Sequence, residues 1–302
     1  MKVCDLDRRS LQACFTHGQL RLRTGPFVVR LQADSSLALA PALNLLYANA
    51  QLESRDCIAD FHIRLRRPGS LRRWVRPQVV FERDGKRPFM PFPADHALPL
   101  FEWGLNWCVS TRAHQYLLLH AAAVEHDGCA VLLPAWPGSG KSTLAAALMH
   151  RGWRLLSDEF GVVRPCTRGI IPFPRPIPLK NESIEVIWRY APDAVRGPIF
   201  PKTRKGNVAH LAPTRDSIDR AHQVASPVAV VFPAYKSDTR TRLRSVTKAR
   251  AFMKLAGNAF NYELLGESAF EAVAGIISEC ESVQLQYQDL DEAIESIERL
   301  VT

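Results

Sequence analysis

The sequence predicts an α/β fold. Three observations carry this: helical and strand patterns interleave along the chain, a Gly-rich turn stands between an apolar strand run and a helical pattern, and the last third alternates long helical periods with short buried strands. The chain has 302 residues, 47% apolar and 23% charged, which is globular and excludes a disordered polymer. Gly (16) and Pro (21) are too few for a collagenous or low-complexity protein. This length suggests one large or two small domains, and the patterns along the chain place a small accessory region before a larger domain, divided near residue 95.

Taken in order, Leu20 to Gln32 reads as two short strands around Thr24-Gly25-Pro26, and Ala38 to Leu52 as a helix. Phe61 to Leu65 alternates as a half-buried strand does, and Gln78 to Phe89 reads as a hairpin turning at Asp84-Gly85. These elements make residues 1–95 an α+β accessory region of unassigned role. Pro88, Pro91, Pro93 and Pro99 suggest a linker, and a helix from Ala97 to about His114 leads into the domain 96–302. There, Tyr116 to Val124 and Cys129 to Leu133 are apolar strands joined at Glu125 to Gly128. Leu144, Ala147 and Leu148 share a helical face, with Gly152 where a terminating glycine belongs. Trp153 to Leu156 and Val228 to Phe232 read as strands, while Pro172 to Pro178 must be extended. Ala249 to Leu265, Ser268 to Glu281 and Asp289 to Val301 read as helices, with Val283, Leu285 and Tyr287 alternating on a strand.

Thirty-nine Lys and Arg against 30 Asp and Glu give a formal charge of +9, which favours anionic partners. The excess concentrates between Arg64 and Arg87, where nine basic residues meet two acids, Glu82 and Asp84. Arg66-Arg67 and Arg72-Arg73 beside Trp74 could dock an acidic substrate. The stretch lacks the aromatic repeat of a nucleic-acid module, so a solvated surface is expected and not a nucleic-acid face. Seven cysteines, none spaced as Cys-x-x-Cys, read as free thiols in a reducing cytoplasm. Without an apolar leader or an apolar stretch of spanning length, no secretion signal or membrane partner is expected.

The chemistry concentrates at Ala135-Trp136-Pro137-Gly138-Ser139-Gly140-Lys141-Ser142-Thr143. This matches G-x-x-x-x-G-K-[ST] apart from Ala135, and lies between a strand and a helix. Gly138 and Gly140 permit backbone conformations in which successive N–H groups face an anion. The helix start adds its positive dipole end. The motif therefore predicts a nucleotide-binding loop of Pro137, Gly138, Ser139, Gly140, Lys141, Ser142 and Thr143, with Lys141 on the terminal phosphates and the Ser142 hydroxyl on Mg²⁺. Asp158-Glu159 ends a short strand sixteen residues past Ser142. That is where a cation-binding acid stands beside such a loop, and equally where a solvated turn carries adjacent acids. His120 ends the run Tyr116 to Leu119, and by itself a histidine there is most often a satisfied core residue.

Together, Leu119 to Glu125, the Gly-rich loop, and Arg151-Gly152-Trp153-Arg154-Leu155-Leu156-Ser157-Asp158-Glu159 resemble the catalytic domain of HPr kinase/phosphorylase, closest to its bacterial HPr kinase-related offshoots. Leu179 to Ser183, Thr203 to Leu211, Gly257 to Tyr262 and Tyr287 to Ile294 support the likeness, which covers roughly residues 100 to 302. The resemblance implies a P-loop kinase domain of the HPr kinase/phosphoenolpyruvate carboxykinase type, using ATP and Mg²⁺ to phosphorylate a hydroxyl, such as a Ser or Thr of a peptide or protein. It implies that Asp158 takes the acceptor proton, that Glu159 and Ser142 hold Mg²⁺, and that His120 sits beside Asp158. It further implies that Lys180, Arg204 and Lys205 face the phosphate or the acceptor, and that the chain forms a homo-oligomer. Glu159 departs from the family's second Asp. The segment used for phosphorolysis is not recognisable, so neither HPr nor phosphorolysis is expected here. A small-molecule kinase and an ATP-binding regulator without transfer are the alternative readings.

Overall fold

The computed structural model describes residues 1–301. α-Helices alternate with strands gathered into several sheets, as the interleaved patterns predict. The chain divides into two compact units, Met1–Val109 with Val195–Ala212, and Ser110–Ala194 with Pro213–Thr302. The first unit therefore runs past residue 95 and takes in a later segment. Among the described residues, no helix is long and apolar enough to cross a membrane.

The first unit is built on a five-stranded sheet of Leu20–Thr24, Phe27–Ala33, Phe61–Arg66, Gln78–Arg83 and Phe92–Pro93, in that order. Phe61, Ile63 and Leu65 are buried while His62 and Arg64 face outward, so the alternation was sufficient to orient the strand. The helix Arg8–Thr16 starts where the Asp7 carboxylate accepts from the Arg9 and Ser10 amides at 2.7 and 2.8 Å. The helix expected over 38–52 is confined to Leu39–Leu46. Beyond it the backbone turns, Ala50 donating to Tyr47, so that Ala50 can accept from Val3 at 3.0 Å.

The proline segment 88–99 is ordered rather than a plain linker. Phe92–Pro93 pairs with Gln78–Val79 at the sheet edge, where proline's missing donor costs nothing. Phe89 stacks on Trp103 at 4.7 Å. In the basic stretch, Arg66 and Arg87 both reach Glu82 at 2.7 Å, while Leu71 and Trp74 stand exposed. The later segment adds a hairpin, Phe200–Thr203 with Gly206–Leu211.

The second unit is organised by a six-stranded sheet in the order Arg242–Ser245, Glu281–Tyr287, Ser226–Tyr235, Cys129–Pro134, Ala121–His126, Arg154–Ser157. Ser226–Tyr235 runs parallel to both of its neighbours, and the other pairings are antiparallel. Ala121, Ala123, Leu132, Val230 and Phe232 share one core with the helices Lys248–Gly257 and Glu267–Glu279. The alternate residues Ala122, Val124, Val131 and Leu133 are buried too, and so face the opposite side. The helix Lys141–His150 packs there, against Glu182–Tyr190 and Leu290–Val301. Being enclosed by sheet and helices, it buries Leu144 through Met149 all round rather than along one stripe.

Two sequence expectations change here. The apolar run 116–124 is not one strand but two. Leu117–Leu119 joins a small antiparallel sheet with Gly161–Val163, and Ala121–His126 joins the large one, with His120 at the break. The helix expected over 249–265 is broken into Lys248–Gly257 and Tyr262–Leu265. The residues between them bond to the 116–120 segment instead. The His120 amide donates to the Asn258 carbonyl at 2.6 Å, and the Phe260 amide donates to Leu118 at 2.8 Å. The Asn261 side chain accepts from the Leu118 amide and donates to the Tyr116 carbonyl. The segment 257–262 is thus tied to 116–120 by backbone and side-chain hydrogen bonds.

Candidate functional site

Strand direction brings three chain segments to one edge of the large sheet. Ala121 pairs with Pro134 and Ala123 with Ser157. The start of the strand 121–126 therefore lies beside the ends of 129–134 and 154–157, and each end releases a different part of the site. His120 precedes the first, the Gly-rich loop follows the second, and Asp158-Glu159 follows the third. Ligand sites in sheets with parallel strands form just outside such strand ends.

The loop turns through Gly138 and Gly140 at φ of 88° and 87°, values that favour glycine. Gly140 caps the helix Lys141–His150 without any side-chain acceptor at the cap. A helix leaves its first N–H groups without partners inside itself, so this end is a concentration of donors and positive potential. The Ser139 hydroxyl is buried with no hydrogen-bond partner among the described residues.

Lys141 is only 7% exposed and Asp158 5%. The Lys141 Nζ donates to the Asp158 carbonyl at 2.6 Å and lies 3.8 Å from its Oδ1. The Ser142 Oγ donates to Asp158 Oδ2 at 2.9 Å. Asp158 Oδ1 is buried and has no hydrogen-bond partner among the described residues. Glu159 lies with Asp158 on the bend that follows the strand. Its Oε2 meets His120 Nε2 at 3.4 Å. The His120 ring lies 5.4 Å from that of Phe260, which is half exposed.

The resemblance implies that His120 sits beside Asp158; in the structure its ring meets the neighbouring Glu159, and the Ser142 hydroxyl bonds to Asp158. Neither follows from spacing, because Asp158 and Glu159 are neighbours in sequence and only the geometry of the strand exit separates their directions.

No protein-family model and no curated protein matches this chain. What can be said of the site rests on its own chemistry.

Their surroundings shift the two carboxyls in opposite directions. Burial raises the Asp158 carboxyl, more than the Lys141 charge lowers it, and the Glu159 charge adds to the rise; the Ser142 hydrogen bond and Lys180 oppose it. Burial also pushes Glu159 upward, but the His120 hydrogen bond and the charges of Lys141, Lys180 and His120 together outweigh it and hold Glu159 well below the usual carboxylate range. Lys180, at the end of the strand Ile177–Lys180, thus bears electrostatically on both acids.

A buried, elevated carboxyl with one unpartnered oxygen beside a serine hydroxyl is a hard-oxygen donor set, which suits Mg²⁺ better than zinc or copper. Among the described residues there is no group of three His, Cys, Asp or Glu side chains able to hold a metal. A cation bound here would therefore complete its shell from water or an anionic ligand.

Arg204 and Lys205 lie in the first unit, on the turn between Phe200–Thr203 and Gly206–Leu211. The Arg204 guanidinium lies over the rings of Phe92 and Trp103 at 5.5 and 5.6 Å. The Lys205 amide donates to the Thr203 hydroxyl at 3.1 Å.

Sequence reasoning read Tyr287 as a strand residue and part of the family likeness, and placed neither it nor Tyr235 at the site. Tyr235 and Tyr287 end the adjacent parallel strands Ser226–Tyr235 and Glu281–Tyr287, the first of which lies next to the strand that releases the loop. The Tyr235 amide donates to the Ser139 carbonyl at 3.0 Å, and the Tyr287 hydroxyl to the Gly140 carbonyl at 3.1 Å. The available signal was weak: each is an aromatic at the exit of an apolar strand, and most such residues only pack.

Proposed function

We propose that this chain is an ATP- and Mg²⁺-dependent phosphotransferase that passes the γ-phosphoryl group to a hydroxyl, with a Ser or Thr of a peptide or protein as the acceptor. The observation that carries the reading is the buried Lys141–Ser142–Asp158 cluster at an uncapped helix start, beside the His120–Glu159 pair. A buried lysine and an elevated carboxyl are costly to keep unless something anionic and something cationic is bound there. The peptide acceptor rests on the likeness to HPr kinase/phosphorylase. The cytoplasm is the proposed location, because ATP is available there and the cysteine spacing reads as that of a reducing compartment.

In this reading the loop amides of 138–143 bind the triphosphate and Lys141 sits on its terminal groups. Ser142 and Asp158 would hold Mg²⁺, which supplies positive charge to the phosphate oxygens. Glu159, kept ionised and aimed by His120, accepts the proton of the acceptor hydroxyl. This exchanges the two acids relative to the roles implied by resemblance. Asp158 is tied to Ser142 and enclosed, whereas the Glu159 side chain remains about one-fifth exposed and reachable. Phosphoryl transfer asks mainly for positioning and charge, so a weakly basic but well-oriented carboxylate suffices.

The test is incubation of the purified protein with γ-labelled ATP and Mg²⁺, with and without Ser- or Thr-containing peptides. Lys141→Ala is expected to abolish transfer. Glu159→Gln is expected to lower kcat by ~10²-fold while MgATP affinity is kept. Asp158→Asn is expected to lose the Mg²⁺ dependence of binding. ATP that binds but is never consumed would overturn the transferase reading and leave a nucleotide-dependent regulator.

A further inference from the structure

We infer that Tyr287 is a positioning residue for the Gly-rich loop, and that its hydroxyl and the Tyr235 amide together aim the loop's N–H groups at the ligand. The inference rests on the nucleotide reading of this site and adds to it the device that sets the cradle's geometry.

The reasoning starts from the planar trans peptide. A carbonyl and the N–H of the next residue belong to one rigid unit and point in opposite directions. Fixing the Ser139 carbonyl therefore fixes the Gly140 N–H, and fixing the Gly140 carbonyl fixes the Lys141 N–H. Both carbonyls are held from outside the loop. The Ser139 carbonyl accepts from the Tyr235 amide at 3.0 Å, and the Gly140 carbonyl accepts from the Tyr287 hydroxyl at 3.1 Å. The Gly140 carbonyl also accepts from the Leu144 amide at 2.9 Å, as the first helical bond. Two oxygens that would repel a phosphate are thereby turned toward the strand ends, and the two amides behind them turn the other way.

The tyrosine pair is itself rigid. Tyr235 and Tyr287 are partners on parallel strands, and their rings meet edge to face at 5.9 Å. Tyr287 is 1% exposed, so its hydroxyl has no solvent to turn toward. Burial, with a smaller contribution from Tyr235, raises its phenol above the ordinary value, which keeps the proton available for donation.

Gly140 completes the device. A Cβ added there would collide with the Tyr287 hydroxyl and come within 3.0 Å of the Tyr235 Cβ. The residue is thus glycine for two reasons, its φ of 87° and the close approach of the tyrosine that holds its carbonyl. The Gly138 position, also at positive φ, meets nothing within 4 Å. Its glycine answers to the turn alone.

The experiment compares the full wild-type chain with Tyr287→Phe, which removes one oxygen and keeps the ring. Calorimetry is run with MgATP and with inorganic tripolyphosphate, alongside the melting midpoint and the amide NMR signals of Gly140 and Lys141. The variant is expected to bind both ligands about fivefold more weakly, by the same factor for each, as the loss of one hydrogen bond implies. The melting midpoint is expected to move by less than about 4 °C. The shift of the Gly140 and Lys141 amides on adding tripolyphosphate is expected to shrink. Equal affinities in wild type and variant overturn the positioning role and leave the nucleotide reading standing, whether or not the melting midpoint falls. A wild type that binds neither ligand overturns the nucleotide reading, and the positioning role with it.

Discussion

At the scale of single residues, burial sets the sign of the most informative prediction. The Asp158 carboxyl is held above its ordinary value, chiefly by burial, so the folded chain binds that proton more tightly than the unfolded chain does. The stability it contributes is complete below the unfolded value of about 3.8 and is lost as pH rises through the folded value. Without a cation, Asp158→Asn is therefore expected to melt higher than wild type at pH 8 and nearly level with it at pH 4. Thermal melts at the two pH values check this, and a wild type more stable than the variant at pH 8 would remove Asp158 from the role of strained, cation-seeking acid. Gly104 gives a steric counterpart. It lies in the helix Ala97–Arg112, where alanine would ordinarily gain about 1 kcal/mol over glycine. A Cβ there would collide with the ring of Phe81, and the overpacking term of about 1–3 kcal/mol wins. Gly104→Ala is expected to lower the urea midpoint, the reverse of what helix propensity alone implies.

At the scale of elements, the strand Arg154–Ser157 matters because it delivers Asp158 and Glu159. It is pinned by a buried ion cluster at its far end. Arg154 Nε meets Glu125 Oε2 at 2.5 Å, and its Nη1 donates to the carbonyls of Arg220 and Gln223 at 2.8 and 3.0 Å. Glu125 also accepts from the Gly128 amide at 2.6 Å and from Arg220 at 3.2 Å. Burial opposes the charge on Glu125, but these bonds outweigh it and hold its carboxyl below the usual value. The sign is opposite to that of Asp158: this stability is present above the unfolded value of about 4.5 and is lost as pH falls through the folded one. Glu125→Gln leaves Arg154 as a buried charge without its partner and is expected to cost about 3 kcal/mol at pH 7, measured by denaturant unfolding. A loss below about 1 kcal/mol would mean that the cluster is incidental to the strand.

At the scale of the whole molecule, the division of the chain decides which fragments are viable. A fragment starting at residue 96 keeps the helix Ala97–Arg112 but loses its sheet. Phe101 and Leu105, both fully buried, would be uncovered, and Trp103 would lose its stacking partner Phe89. That fragment is expected to aggregate or elute in the void volume on size exclusion, because exposed apolar area of this kind drives association. A monodisperse, well-folded 96–302 would show that the cover that residues 1–95 give this helix is dispensable.

Much of this architecture was legible in one dimension. Alternation oriented Phe61 to Leu65, the spacing of Leu144, Ala147 and Leu148 with Gly152 framed the helix after the loop, and the Gly-rich motif marked the helix start. These are local signals, set by the two-residue period of strands, the 3.6-residue period of helices and the backbone freedom of glycine. The break at His120 and the interruption at Asn258 to Asn261 were not legible. Each trades a local hydrogen bond for one with a segment some 140 residues away, and no local window contains both partners.

The sequence by itself determined the class of the fold, the Gly-rich turn and the residue types able to meet phosphate and a hard cation there. Only the tertiary structure decided that Asp158 joins Ser142 and Lys141 while Glu159 joins His120, and that Tyr287 reaches across to the carbonyl of Gly140. The physical reason is that side-chain chemistry is carried by each residue alone, whereas direction and burial belong to the packed sheet. There, strands far apart in the chain end side by side.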